Sequence, residues 1–177
     1  DLAARRIVWG KFMNAGQTCI AVDYVVVQES VKDALLAAMT KEIGKRYPHA
    51  EKSDAYPSII NQRHYDRLIG LMKTESSLIG GAVNAEKRRI APTLMPEADF
   101  DHPIMEDEIF GPLLPIIAVK DMQNAVAHIK TLPNPLACYV FTENKAVAEA
   151  VIANLSFGGG CINDTLLHVT NPNLPFG

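Results

Sequence analysis

Apolar residues mark out the elements before any other property of the chain is used. Across residues 5–13, Ile7, Val8, Trp9 and Phe12 fall at helical spacings, and Gly16 follows where a stop is expected. This predicts a helix and then a tight loop. Residues 24–27 form a β-branched run of the kind a buried strand uses. Ser30 with Asp33 resembles a capping box, and Val31, Ala34, Leu35, Ala38 and Ile43 line one face of the helix it would open. Tyr65, Leu68, Ile69 and Met72 repeat the helical spacing. Residues 113–119 and 136–142 read as strands, with a helix over 121–132 between them. A last helix over 144–155 places Val147, Val151, Ile152 and Leu155 on one face. Gly158-Gly159-Gly160 then ends it ahead of a strand at Cys161-Ile162-Asn163.

Strands alternating with helices predict an α/β fold, a mainly parallel sheet flanked by helices. There is no internal repeat, low-complexity tract or linker, and the Pro-rich patches at 92–103 and 133–135 read as loops. Residues 1–177 are expected to form one domain, since 177 residues that are 48% hydrophobic suffice for a sizeable core.

Charge changes the picture by exclusion. The net charge is -3, and the densest basic cluster, Lys87-Arg88-Arg89, is too small for a nucleic-acid footprint or an anionic-membrane patch. No apolar run approaches the roughly 20 residues a bilayer demands. Three irregularly spaced cysteines (Cys19, Cys138, Cys161) argue for a reducing compartment, with the cytoplasm as the expected location. Five histidines (His49, His64, His102, His128, His168) lack paired metal-ligand spacing, so no zinc site is expected.

Candidate chemistry centres on Cys19. It sits in a Gly-containing loop between a helix and a buried strand, and loops of an open α/β sheet can line a ligand crevice. There a thiol can approach a carbonyl carbon, and amide dipoles favour its thiolate. On residue type alone, a lone cysteine is more often a small apolar filler. Cys138 fits that description within its strand pattern; Cys161, after a glycine run, is left open.

The segment Asn14-Ala15-Gly16-Gln17-Thr18-Cys19-Ile20-Ala21, with Phe12 ahead and Asp23 behind, resembles the cysteine signature of the aldehyde dehydrogenase superfamily. A second segment, Glu106-Asp107-Glu108-Ile109-Phe110-Gly111-Pro112, is similar to that family's E-E-I-F-G-P motif, and Ala91-Pro92-Thr93 and Pro103-Ile104-Met105 precede it. The likeness runs on through Asn134-Pro135-Leu136-Ala137, residues 158–164 and the ending Asn173-Leu174-Pro175-Phe176-Gly177. Gln17 to Val25 most resembles the branch holding fatty, aromatic and coniferyl aldehyde dehydrogenases, although Val22 stands where that branch often has proline.

The resemblance implies the catalytic-domain fold of that family and oxidation of an aldehyde, coniferyl or another aromatic or apolar one, to a carboxylic acid with NAD or NADP. Cys19 matches the nucleophile that forms a thiohemiacetal and then a thioester, its own backbone N–H helping to hold the oxyanion. Glu108 matches the glutamate that holds the nicotinamide ribose, and Phe110 the aromatic packed against the same end of the cofactor. Without the family, Glu106 to Glu108 read as a solvated acidic turn and Phe110 as core.

The resemblance also implies parts not found among these residues. These are a general-base glutamate about 15 residues ahead of Asp1 in a Glu-Leu-Gly-Gly-type segment, an oxyanion-hole asparagine, a Rossmann domain and an oligomerisation strand. The chain, which opens without methionine, is thus expected to be a segment of a longer protein that works as a homodimer or homotetramer and is inactive alone. Two other functions compete. A cysteine hydrolase needs a histidine against Cys19, for which only His168 offers itself; a non-catalytic assembly module would leave Cys19 unreactive.

Overall fold

The computed structural model describes residues 1–176; Gly177, the last residue of the Pro-Phe-Gly ending, lies outside them. The helices are α1 (Leu2–Phe12), α2 (Glu29–Arg46), α3 (Gln62–Met72), α4 (Met122–Ile129) and α5 (Lys145–Asn154). The strands are β1 (Val25–Gln28), β2 (Ile79–Gly80), β3 (Val83–Asn84), β4 (Arg89–Ile90), β5 (Thr93–Met95), β6 (Leu113–Val119), β7 (Ala137–Val140) and β8 (Gly159–Ile162).

One sheet has the order β1-β6-β5-β2, with β1, β6 and β5 parallel and β2 antiparallel at the edge. β6 is its spine. It pairs with β5 through Leu113 to Pro115 and with β1 from Ile116 onward, so Pro115 falls at the handover between the two ladders. Two smaller ladders stand apart: β3 with β4, antiparallel, and β7 with β8, parallel. The α/β class and its mainly parallel sheet are as the pattern predicted.

Alternation along β5 and β6 shows why the β6 run is apolar throughout. Leu94, Leu114 and Ile116 pack with Ala4, Ile7, Val8 and Phe12 of α1 and Leu36 and Met39 of α2. Met95 and Leu113 face the other way, into Tyr65, Leu68 and Met72 of α3. Both faces of the sheet are therefore covered, which removes any polar side from the strand pattern.

Several local expectations are corrected. Glu29 already opens α2, with Gln28 as its N-cap and no side-chain cap, so Ser30 and Asp33 form no capping box. The buried stripe of α2 is Leu36 and Met39, with Leu35, Ala38 and Ile43 half-buried, while Val31 and Ala34 are exposed. Packing against α1 selects that stripe. α5 likewise buries Ala148 and exposes Val147 and Ile152. Gly159 and Gly160 belong to β8 rather than to a helix stop. A Cβ on Gly160 would lie 2.1 Å from the Cys138 carbonyl oxygen, so only glycine lets β8 approach β7 this closely. The 92–103 patch is not all loop, since it holds β5.

Candidate active site

Residues 13–24 carry the chain from α1 into β1 through an unusual backbone. Asn14, Ala15 and Gly16 adopt left-handed conformations in succession, with φ of 53°, 53° and 72°. Asparagine and glycine tolerate this region; Ala15 does so while fully buried in the core on the α3 side. The Ala21 N–H donates to the Thr18 carbonyl at 2.9 Å, closing a turn with Cys19 and Ile20 at its corner.

Side chains fix that turn from two sides. Gln17 Nε2 donates to the Ser58 carbonyl at 3.2 Å, and Gln17 Oε1 accepts from the Ile60 N–H at 2.9 Å. From β7, the Tyr139 hydroxyl donates to the Ile20 carbonyl at 2.7 Å. Ile20 is buried, whereas Cys19 is exposed and has no hydrogen-bond partner among the described residues. The result is an exposed thiol on an anchored turn.

The second motif, residues 106–112, lies against the first. A Cβ on Gly16 would sit 2.2 Å from the Gly111 carbonyl oxygen, so the two glycines meet backbone to backbone. Asp23 Oδ1 accepts from the Ile109 N–H at 3.1 Å. From behind, α3 braces the bend: His64 Nε2 lies 2.7 Å from the Phe110 carbonyl oxygen, and Arg67 donates to the Ile109 carbonyl. Phe110 itself takes a φ of 46°. Held this way, Glu108 presents an exposed carboxylate without a hydrogen-bond donor among the described residues, and Phe110 a half-exposed ring.

Topology explains the meeting. The 106–112 segment enters β6 and the cysteine turn enters β1, and these neighbouring strands are parallel. Both motifs therefore sit at the strands' amino-terminal ends. The general expectation for open α/β sheets places crevices at the carboxyl ends, so that route to Cys19 is corrected.

Two charged groups of these segments are shifted from their ordinary ionisation. Burial lowers the Lys11 ammonium to about 8, against the opposing charges of Asp23 and Glu108. Glu108 is raised above the ordinary carboxylate range, first by desolvation of its carboxyl and then by Asp23, with Lys11 and Arg67 opposing.

The other two cysteines make no hydrogen bond to either motif, and His168 packs its ring against Tyr139. Cys138 is half-buried in β7, and burial pushes its thiol up. Cys161 of β8 lies 3.8 Å from His168 Nδ1, and burial raises its thiol too. His168, the histidine a cysteine hydrolase would need against Cys19, is engaged with Cys161 instead, and no histidine bonds Cys19 among the described residues. Those residues also hold no cluster of three or more His, Cys, Asp or Glu suited to a metal. Lys87 and Arg89 of the basic cluster both pair with Asp54 at 2.9 Å. No helix of the described residues is long and apolar enough to cross a membrane.

Three residues of the cluster, Lys11, Arg67 and Tyr139, went unmarked in the sequence, and His64 was weighed there only as a metal ligand. Lys11 alone carried a signal, a charged residue on the apolar stripe of α1 beside Ile7, Val8 and Phe12.

Comparison with known proteins gives the class. The chain belongs to the aldehyde dehydrogenase family, whose model matches residues 1–177. It is 46% identical over 179 residues to the 4,4'-diaponeurosporen-aldehyde dehydrogenase of Staphylococcus aureus, covering 99% of this chain and 39% of that protein. It is 42% identical over 178 residues to the dimeric NADP-preferring aldehyde dehydrogenase of Rattus norvegicus, covering 100% of this chain and 39% of the relative. The substrate-bound structure of Staphylococcus aureus AldH superimposes with a TM-score of 0.95 at 45% identity, over 99% of this chain and 39% of that one. The chain thus spans about 39% of the length of these relatives.

Proposed function

We propose that these residues form the cysteine-bearing catalytic domain of an enzyme that oxidises an aldehyde to a carboxylic acid, with Cys19 as nucleophile. The observation that carries this reading is the anchored turn: an exposed thiol held by Gln17 and Tyr139, with the Glu108 segment clasped to it through Asp23. In the proposed reaction the Cys19 thiolate adds to the carbonyl carbon, forming a C–S bond and an oxyanion near the Cys19 backbone N–H. A nicotinamide cofactor, when bound, would supply the hydride acceptor needed for the Cys19-bound adduct to become a thioester. Water then cleaves the thioester, activated by a base that family resemblance assigns to the part of the protein preceding residue 1.

The residues present fit the cofactor's nicotinamide end. Glu108 offers an ionisable acceptor for ribose hydroxyls, and Phe110 a partly exposed aromatic face. The relatives' names, one for a diaponeurosporen-aldehyde and one dimeric and NADP-preferring, support an apolar aldehyde as substrate, NADP as acceptor and a dimer as the assembly. The three cysteines are free, which supports a reducing, cytoplasmic setting. The Rossmann and oligomerisation parts would lie in the remainder of the protein.

Cys19→Ala in the intact protein tests the reading. Aldehyde-dependent NAD(P)H formation should disappear while circular dichroism stays unchanged. Turnover at the wild-type level in that variant would sink the assignment. An intact enzyme whose Cys19 resists a thiol reagent would instead favour the assembly-module reading.

A further inference from the structure

His168 follows a left-handed corner of the chain. Leu166 is buried there with a φ of 60°, and Leu167–Thr170 then make a short 3-10 turn that carries the imidazole back over β8. Register shows what it meets. Ala137 pairs with Gly159 and Tyr139 with Cys161, so the side chains of Tyr139 and Cys161 and the bare Cα of Gly159 lie on one face of the β7–β8 pair. His168 touches all three. Its Nδ1 lies 3.8 Å from Cys161 Sγ, its ring centre 5.8 Å from that of Tyr139 at an interplanar angle of 57°, and its Cδ2 would be 2.5 Å from a Cβ on Gly159. The glycine therefore makes the room that the ring occupies.

The imidazole is buried, and its Nε2 has no partner among the described residues. An apolar side chain would fill this niche without leaving a polar atom unpaired. What the imidazole adds is a ring of fixed orientation, set by the nitrogen that Cys161 holds. Tyr139 continues the line to the candidate active site. Its ring packs against His168, its hydroxyl donates to the Ile20 carbonyl at 2.7 Å, and Ile20 follows Cys19 at the corner of the turn. Each step from imidazole to thiol is a direct contact or a covalent bond.

We propose that His168 is a positioning residue for Cys19: it walls the Tyr139 ring so that the phenol hydroxyl stays on the Ile20 carbonyl and the turn presents the thiol in one place. The proposal rests on the reading of Cys19 as the nucleophile. Cys161 then serves as the anchor of the imidazole.

The test uses the intact protein and two readouts. One is alkylation by iodoacetamide, followed on the Cys19 and Cys138 peptides by mass spectrometry; the other is the pre-steady-state burst of NAD(P)H with an aldehyde. In His168→Ala the Cys19 peptide should be alkylated about fivefold faster and the burst should slow about fivefold, the weight of one net hydrogen bond. Cys138 neighbours Tyr139 in β7 but faces the other way, so its alkylation should not change. Tyr139→Phe should give the same pair of changes, and the double variant no more than either single one, because both act on one bond.

Either rate at its wild-type value in His168→Ala overturns the proposal. So do effects that multiply in the double variant, or a matching rise at Cys138, each of which leaves His168 a packing residue only. Turnover in Cys19→Ala overturns the reading of the nucleophile, and the proposal with it, whatever the alkylation rates show. Should His168→Ala fail to fold, His168→Asn takes its place, keeping a nitrogen for Cys161 without a ring against Tyr139. Wild-type rates in that variant overturn the proposal in the same way.

Discussion

Gly16→Ala is the sharpest single test of how the two motifs are joined. The new methyl would lie 2.2 Å from the Gly111 carbonyl oxygen and 2.6 Å from its carbonyl carbon, both backbone atoms that cannot rotate away. It would also be held at a φ of 72°, where an L side chain crowds its own backbone at a cost of about 1–2 kcal/mol. Forced overpacking adds about 1–3 kcal/mol. Restricting the unfolded chain returns up to about 1 kcal/mol, so the net loss is about 2–4 kcal/mol. With a urea slope of about 2 kcal/mol per M, the unfolding midpoint should drop by about 1–2 M. Trp9, the chain's one tryptophan and part of α1, provides the fluorescence signal. A midpoint within about 0.3 M of wild type would show that the glycine contact does not set the spacing of the loops.

Further outcomes follow from the same geometry. Gly44→Ala, in α2 with nothing within 4 Å of the new methyl, should raise stability by about 0.5–1 kcal/mol in the same urea assay. Tyr139→Phe should cost about 1 kcal/mol by leaving the Ile20 carbonyl without its donor, and should quicken Cys19 alkylation by iodoacetamide as the turn loosens. His168 is depressed below its ordinary 6.5 by burial, so the unfolded chain takes up its proton first as pH falls. Its contribution is complete above 6.5 and is lost on acidification through the folded value; urea melts against pH should therefore show a smaller acid loss in His168→Asn.

What the sequence disclosed divides along the range of the interactions. α1, β1, α3 and β6 were legible because each buries a periodic or continuous apolar set, a property local to its own residues. β2 to β5 are only two or three residues long and offer no period to detect. The exposed positions on α2 and α5 were misassigned because several apolar residues compete for the inward face and a neighbouring element chooses among them. Cys19, Glu108 and Phe110 emerged from motif resemblance, whereas the contacts that hold them did not. The Tyr139–Ile20 bond spans 119 residues and the Asp23–Ile109 bond 86, and neither leaves a mark in local pattern. Lys11 was the exception: a cation at a core position of a helix is visible without any partner being known.

One contact ties the timing of synthesis to the structure. α1 packs against a residue far along the chain: the Thr165 hydroxyl donates to the Arg6 carbonyl at 2.9 Å across 159 residues, and a Cβ on Gly10 would lie 2.4 Å from that same hydroxyl oxygen. At about 5–20 residues per second, Thr165 is added on the order of ten to thirty seconds after Arg6. Throughout that interval α1 lacks one of its contacts, with the Arg6 carbonyl and Gly10 still without Thr165 against them. The cysteine turn, which hangs from the end of this helix, therefore lacks a finished support until nearly all of these residues have been made, and a chain released early would expose apolar α1 beside the Cys19 thiol.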